Sequence, residues 1–129
     1  MSTSSTSSDA SDDATKRNDE IKIAFDSSSL DERSRITNSE KQKYLAPLAS
    51  GEKLGCYALT EPSAGSDAAA LKTRADKTAG GYVLNGTKMW ITNGPGGDTL
   101  VVYAKTDPDA GPRGITGFII EKDFKGFSV

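Results

Sequence analysis

Two short stretches carry the residue types with which this sequence can do chemistry. The first is Thr60-Glu61-Pro62-Ser63-Ala64-Gly65-Ser66-Asp67, built almost wholly of small and hydrogen-bonding residues. Small side chains let backbone N–H groups approach an anion closely, and Ser63 and Ser66 add hydroxyl donors. Such a bend suits a phosphate group; it equally suits a plain turn in which Asp67 caps the next element. It is neither a Walker loop nor a GxGxxG fingerprint. Asn93-Gly94-Pro95-Gly96-Gly97 matches neither as well and reads as a hairpin loop. The second stretch, Lys88-Met89-Trp90-Ile91-Thr92, holds the sole tryptophan. As a strand it puts Met89 and Ile91 on a core face and Lys88, Trp90 and Thr92 on the other. Trp90 is then either core, which spacing alone favours, or a flat apolar surface for a planar ligand with the Thr92 hydroxyl beside it.

Composition removes other chemistries. With no histidine among 129 residues there is no Ser-His-Asp or Cys-His nucleophile and no histidine-ligated zinc. A lone Cys56 forbids an intrachain disulfide and a four-cysteine metal site. A net charge of −2 argues against a general nucleic-acid surface. No apolar run approaches the ~20 residues of a membrane-spanning helix. A soluble chain of at most one domain, in a reducing compartment, is expected.

The elements that must position these stretches begin past a compositional boundary near residue 40. Residues 1–40 hold eleven of the fifteen serines, no glycine and no proline, and carry a net −4. The Ser/Asp-rich stretch 1–28 is expected to be a disordered tail, lacking the apolar surface to offset its ordering entropy. It has neither the apolar core of a secretory signal nor the acid-poor composition of a transit peptide. Residues 29–53 read as short connecting helices. Ser29 with Glu32 fits a capping box, and Ser39 caps a second helix that must stop or kink near Ala46, because Pro47 disfavours helical geometry before it. Residues 54–129 read as strands: 55–60, 71–75, 82–84, 87–92, 100–105, 117–121 and the start of another at 127. Asn85-Gly86 is the dipeptide best suited to a type I′ hairpin turn between the third and fourth. The 100–105 run is expected to be buried on both faces. The expected fold is all-β, a small antiparallel β-barrel or sandwich, preceded by short helices and the tail.

Together, YALTEPSAGSD (57–67) and NGTKMWITNG (85–94) resemble the middle β-domain of the FAD-dependent acyl-CoA dehydrogenases. The likeness begins near Asn38 and runs to Val129; residues 1–36 match nothing in the family. WITNGPGGDTLVVYAKTDPDAGPRGITGFIIEKDFKGFS is similar to the isovaleryl-CoA or short-branched-chain branch, and CYALTEP to the wider straight-chain members. The resemblance implies that FAD is bound through Tyr57, Ala58, Leu59, Thr60, Gly65, Ser66, Trp90, Ile91 and Thr92. Thr60 would bond the flavin ring system, and Gly65 with Ser66 would meet the diphosphate. Ser66 would also contact the acyl-CoA. Trp90 would lie on one face of the isoalloxazine, with Thr92 at the hydride-accepting nitrogen.

The implied reaction is α,β-dehydrogenation of an acyl-CoA thioester. A carboxylate removes the α-proton, hydride passes to the flavin, and electrons go on to an electron-transfer flavoprotein. The family's catalytic glutamate lies in a C-terminal helical domain that this sequence lacks, so no catalytic residue and no metal ligand is assigned. The chain is expected to be a fragment, truncated within its barrel, of an enzyme that is a homo-oligomer when intact. Its compartment would be bacterial cytoplasm or mitochondrial matrix. The competing expectation is a non-catalytic β-barrel binding module whose acidic tail engages a partner. An exposed Trp90 and Thr92 beside the 60–66 bend would favour the enzyme lineage.

Overall fold

The computed structural model describes residues 37–129. The expected tail and the Ser29 helix lie outside the described residues. The chain enters through Thr37, whose hydroxyl accepts from the Glu40 amide while the Glu40 carboxylate accepts from the Thr37 amide. This capping box, not Ser39, starts the helix. It runs through α1 (Asn38–Glu40), a π-helical stretch (Lys41–Leu45) and α2 (Ala46–Ser50). The helix therefore neither stops nor breaks at Ala46. Pro47 has no N–H to donate, and the turn before it widens so that the Ala46 amide reaches the Lys41 carbonyl. Gly51, at φ 77°, ends it. The Lys43 ammonium and the Tyr44 hydroxyl both reach the Glu121 carboxylate, at 2.5 and 2.9 Å. Those contacts seat the helix against the end of the sheet.

Five strands follow: β1 (Gly55–Ala58), β2 (Arg74–Thr78), β3 (Gly81–Asn85), β4 (Thr99–Lys105) and β5 (Ile115–Glu121). They form an open, mixed sheet where an incomplete antiparallel barrel or sandwich is expected; the parallel pairings of β4 are the difference. β4 is its spine, antiparallel to β5 along its whole length. On its other edge it takes β1 in parallel, from Gly55↔Thr99 to Ala58↔Val102, and then β2, also in parallel, at Arg74↔Lys105. β1 and β2 thus share one edge end to end, and residues 59–73 are the excursion between them. None of β4's residues is exposed, in keeping with its apolar, β-branched run.

Alternation along the strands builds the core on one face: Cys56, Leu84, Leu100, Ala104, Phe118 and Ile120 are buried there with Ala75. Tyr82 closes edge-on against Phe118, centroids 5.4 Å apart. Tyr57 points to the opposite face and stands 5.3 Å from the Tyr103 ring. Among the described residues no helix is long and apolar enough to cross a membrane.

Four local expectations are overturned. Asn85-Gly86 is not a hairpin turn. β3 pairs backward with β2, in register from Arg74↔Asn85 to Thr78↔Gly81, so the turn is Ala79-Gly80, with Gly81 at φ 136°. β2 begins at Arg74, not Leu71, because the Lys72 and Thr73 amides turn to the Glu61 carboxylate instead of a neighbouring strand. Residues 87–92 form no strand, and neither does 127–129.

Gly86 has a packing role instead. A methyl group there would sit 2.8 Å from the Thr73 Cα and closer still to its hydroxyl, whereas nothing lies within 4 Å of the same position at Gly80. Gly86→Ala is therefore expected to cost about 1–3 kcal/mol by overpacking, and Gly80→Ala less than about 0.5 kcal/mol. Urea unfolding of both variants checks this, and equal costs would contradict the register.

Candidate functional site

The bend between β1 and β2 folds on itself first. The Glu61 amide donates to the Ala64 carbonyl at 2.9 Å and the Ala64 amide returns a bond to the Glu61 carbonyl at 3.1 Å, with Pro62-Ser63 at the tip. Gly65 and Ser66 follow, exposed. Asp67 stands at the head of a 3-10 turn (Ala68–Ala70) but its side chain makes no capping bond. The reading of this bend as a simple Asp67-capped turn is thereby set aside.

The Glu61 side chain turns inward. It is 5 % exposed, and its carboxylate accepts from the Lys72 amide at 2.6 Å, the Thr73 amide at 3.0 Å, the Thr73 hydroxyl, and the Lys88 ammonium at 2.7 Å. Burial alone would push this carboxyl up. The Lys88 ammonium, the Thr73 hydroxyl and the two amides more than reverse that and hold it at about 2. Lys88 also donates to the Leu59 carbonyl at 3.1 Å. The next residue, Met89, donates its amide to the Thr60 carbonyl at 2.9 Å. Residues 59–61 are thus tied, one after another, to 88–89.

Trp90 follows immediately, at φ 58°. A bulky side chain in left-handed geometry costs of order 1–3 kcal/mol and persists only where its surroundings fix it. The indole is 86 % exposed, so it is not core. Ile91 turns inward and packs on the core cluster, while Thr92 is exposed. Strand alternation does not explain this sidedness, since no strand is present. It also assigned two neighbours wrongly: Lys88 is directed inward to Glu61, and Met89, 37 % exposed, is not a core residue.

Of the other residues singled out from sequence, Tyr57 is exposed, Ala58 is buried on the core face, and Leu59 and Thr60 are half-buried. Ala58, Trp90 and Ile91 also border a cavity of about 650 Å³. Its floor is the inner face of the sheet (Leu84, Leu100, Val102, Ile120), and the bend residues Thr60, Gly65 and Ser66 take no part in it. The cavity is the uncovered side of the core rather than the place where the two stretches meet. Sequence reasoning missed the Glu61–Lys88 pair. The available signal was a glutamate amid small residues and a lone ammonium in an otherwise uncharged stretch, each needing a partner once buried.

Because the Glu61 carboxyl lies below its unfolded value near 4.5, the stability it contributes is present above that pH and is lost as pH falls towards 2. A thermal-melting series from pH 6 to 2 should show a fall, roughly 3 kcal/mol of which is missing in Glu61→Gln. Subtracting the variant is needed because Glu40, Asp98 and Glu121 are also held low by their partners. Glu61→Ala, which strands the Lys88 charge, is expected to cost about 3–5 kcal/mol at neutral pH, measured by denaturant unfolding.

Residues 56–129 match the family described as acyl-CoA dehydrogenase, middle domain. The chain is 62 % identical over 92 residues to a mitochondrial isovaleryl-CoA dehydrogenase of Solanum tuberosum, covering 71 % of this chain and 22 % of that protein. Among solved structures it is similar to butyryl-CoA dehydrogenase from Megasphaera elsdenii, at TM-score 0.66 and 49 % identity over 67 % of this chain and 23 % of that one. It is likewise similar to PigA with FAD and proline, at TM-score 0.65 and 45 % identity, covering 67 % and 23 %. The chain spans less than a quarter of the length of these relatives. With the two motif stretches laced together on the rim of a sheet, and with the family match running over most of the described residues, this chain belongs to the acyl-CoA dehydrogenase family and corresponds to its middle domain.

Proposed function

We propose that this chain provides one wall of the FAD and acyl-CoA site of an acyl-CoA dehydrogenase of the isovaleryl-CoA or short-branched-chain type. The observation that carries this reading is the exposed indole of Trp90 beside the 60–66 bend, tied to it by the Met89–Thr60 bond. The donor set fits a flavin dinucleotide. A flat apolar face suits a tricyclic ring, the Thr60 and Thr92 hydroxyls suit its polar edge, and the small residues Gly65 and Ser66 leave backbone donors open to the diphosphate. Tyr57, Ala58 and Leu59 would lie along the cofactor through their backbone, and Ile91 would hold Trp90 in place from the core side. Ser66 would also meet the acyl-CoA.

When bound, FAD supplies the hydride acceptor for α,β-dehydrogenation of an acyl-CoA thioester. The residues of this chain orient and cover it; they do not move the α-proton. Glu61 is unsuited to that task, since a carboxylate saturated with donors and held at about 2 is a poor base near neutrality. The base would come from outside these residues, as would further strands closing the sheet into a barrel over its open inner face. An electron-transfer flavoprotein and a homo-oligomeric assembly belong to the same reading, as does a mitochondrial-matrix or bacterial-cytoplasmic setting. The competing binding-module reading needs a sealed Trp90, and the 86 % exposure of its side chain does not favour it.

Titrating the 129-residue chain with FAD tests the reading. Quenching of Trp90 at micromolar flavin is the expected result; unchanged emission at saturating flavin would overturn it. Trp90→Ala, followed by flavin absorbance, should weaken binding about tenfold, equivalent to roughly 1.4 kcal/mol. The unfolding free energy should stay within about 0.5 kcal/mol of the parent, as for most exposed substitutions. Acyl-CoA oxidation by the chain alone is expected to remain at background.

A further inference from the structure

We propose that Glu61 and Lys88 are positioning residues: their buried ion pair is the clamp that fixes Trp90 in its left-handed conformation and in register with Thr60. The cofactor part of this inference rests on the function proposed above; the clamp itself does not.

The path of the chain carries the argument. After β3 the backbone leaves the sheet at Gly86, where the missing side chain lets it pass over Thr73. Thr73 is itself bonded to Glu61 through both its amide and its hydroxyl. Two residues on, Lys88 drops its ammonium between the Leu59 carbonyl and the Glu61 carboxylate, with only 11 % of its side chain exposed. Its neighbour Met89 then bonds to Thr60. Beyond Trp90 the chain is anchored again, by Ile91 against the core and by the Gly94 amide on the Ile91 carbonyl. Trp90 therefore sits between two fixed points, and its left-handed backbone lets the residues on either side turn inward while the indole is thrown outward. With 86 % of its surface exposed, the indole makes too few contacts to hold that conformation by itself. The restraint must come from the anchors, and the ion pair is the one next to Thr60.

A structural role alone would make every property follow global stability, so the test separates the two. In Glu61→Gln/Lys88→Met both charges are removed and no buried charge is left unpaired; the single glutamine oxygen keeps the Thr73 bonds or the Lys72 bond but not both, since these end on different carboxylate oxygens. The melting temperature is expected to lie above that of Glu61→Ala, since no charge is stranded, and below that of the parent, since one buried amide loses its acceptor. Hydrogen exchange at the Met89 amide, read by NMR on the full chain, is expected to be at least tenfold faster than in the parent, with the Leu100 and Ile120 amides keeping their protection. Exchange at Met89 that is unchanged, or that rises only in step with Leu100 and Ile120, would overturn the clamp. Should the double variant lack a cooperative melt, Lys88→Arg replaces it: faster Met89 exchange at an unchanged melting temperature supports the clamp, and parallel change defeats it. In the same samples FAD affinity is expected to fall about tenfold in the double variant. Equal affinity in parent and variant would remove the positioning role. A parent that binds no FAD would instead remove the proposed function and leave the exchange result to decide the clamp.

Discussion

A buried carboxylate must find donors or lose its charge, and in this chain that requirement joins three separate stretches of sequence. Glu61 leaves the end of β1, accepts from the amides that lead into β2, and meets an ammonium from the segment after β3. Removing any one of these donors leaves the others facing a carboxylate that burial is pushing towards protonation. The β4 ladder leaves a gap here, because β1 stops pairing at Val102 and β2 resumes only at Lys105, whose amide bonds to the Thr73 carbonyl. The gap along β4 is where the bend departs, and electrostatics replaces the ladder as the means of holding it.

The same substitution of side-chain bonding for regular structure explains the shape of the second stretch. Freed from the sheet, residues 86–92 need not alternate, and they do not: Lys88 goes in, Met89 out, Trp90 out and Ile91 in. A regular strand cannot present two successive outward residues, and a left-handed Trp90 can. A period-2 reading of this segment reaches the right sidedness for Trp90, Ile91 and Thr92 while misplacing Lys88 and Met89. Its partial success comes from Ile91 packing on the core cluster while Trp90 and Thr92 stay exposed.

How much was legible follows from where each signal resides. The β4 and β5 runs are apolar and β-branched and the β1 run is apolar, each bounded by turn formers, and they are strands where expected, β1 ending at Ala58, two residues early. β2 exposes Arg74, Asp76 and Lys77 and buries only Ala75, so hydrophobic patterning placed the strand three residues early, over 71–75. Asn85-Gly86 has ideal turn chemistry, yet pairing of β3 back onto β2 decided the register, a tertiary fact that no local dipeptide encodes. The parallel arrangement of β1 and β2 on β4 is of the same kind, and it makes mixed a sheet expected to be antiparallel. The candidate site was visible through residue types in two short stretches. The ion pair was not, because its partners are 27 positions apart and each alone reads as an ordinary charged residue.

The choice of an ion pair at this place still needs a reason, since a well-packed apolar pair of similar volume is often as stable or more so. Apolar contacts are non-directional: a leucine and a methionine beneath Thr60 would tolerate a slide of the 86–92 segment by a fraction of a residue. A carboxylate with four donors, one of which also serves the Leu59 carbonyl, tolerates no such slide, because any shift leaves a buried donor or acceptor without its partner. Where two irregular segments must meet in one register outside the reach of a sheet, directionality matters more than net stabilisation. The position of Glu61 and Lys88, one residue from Thr60 and two from Trp90, is where that directionality has the most effect.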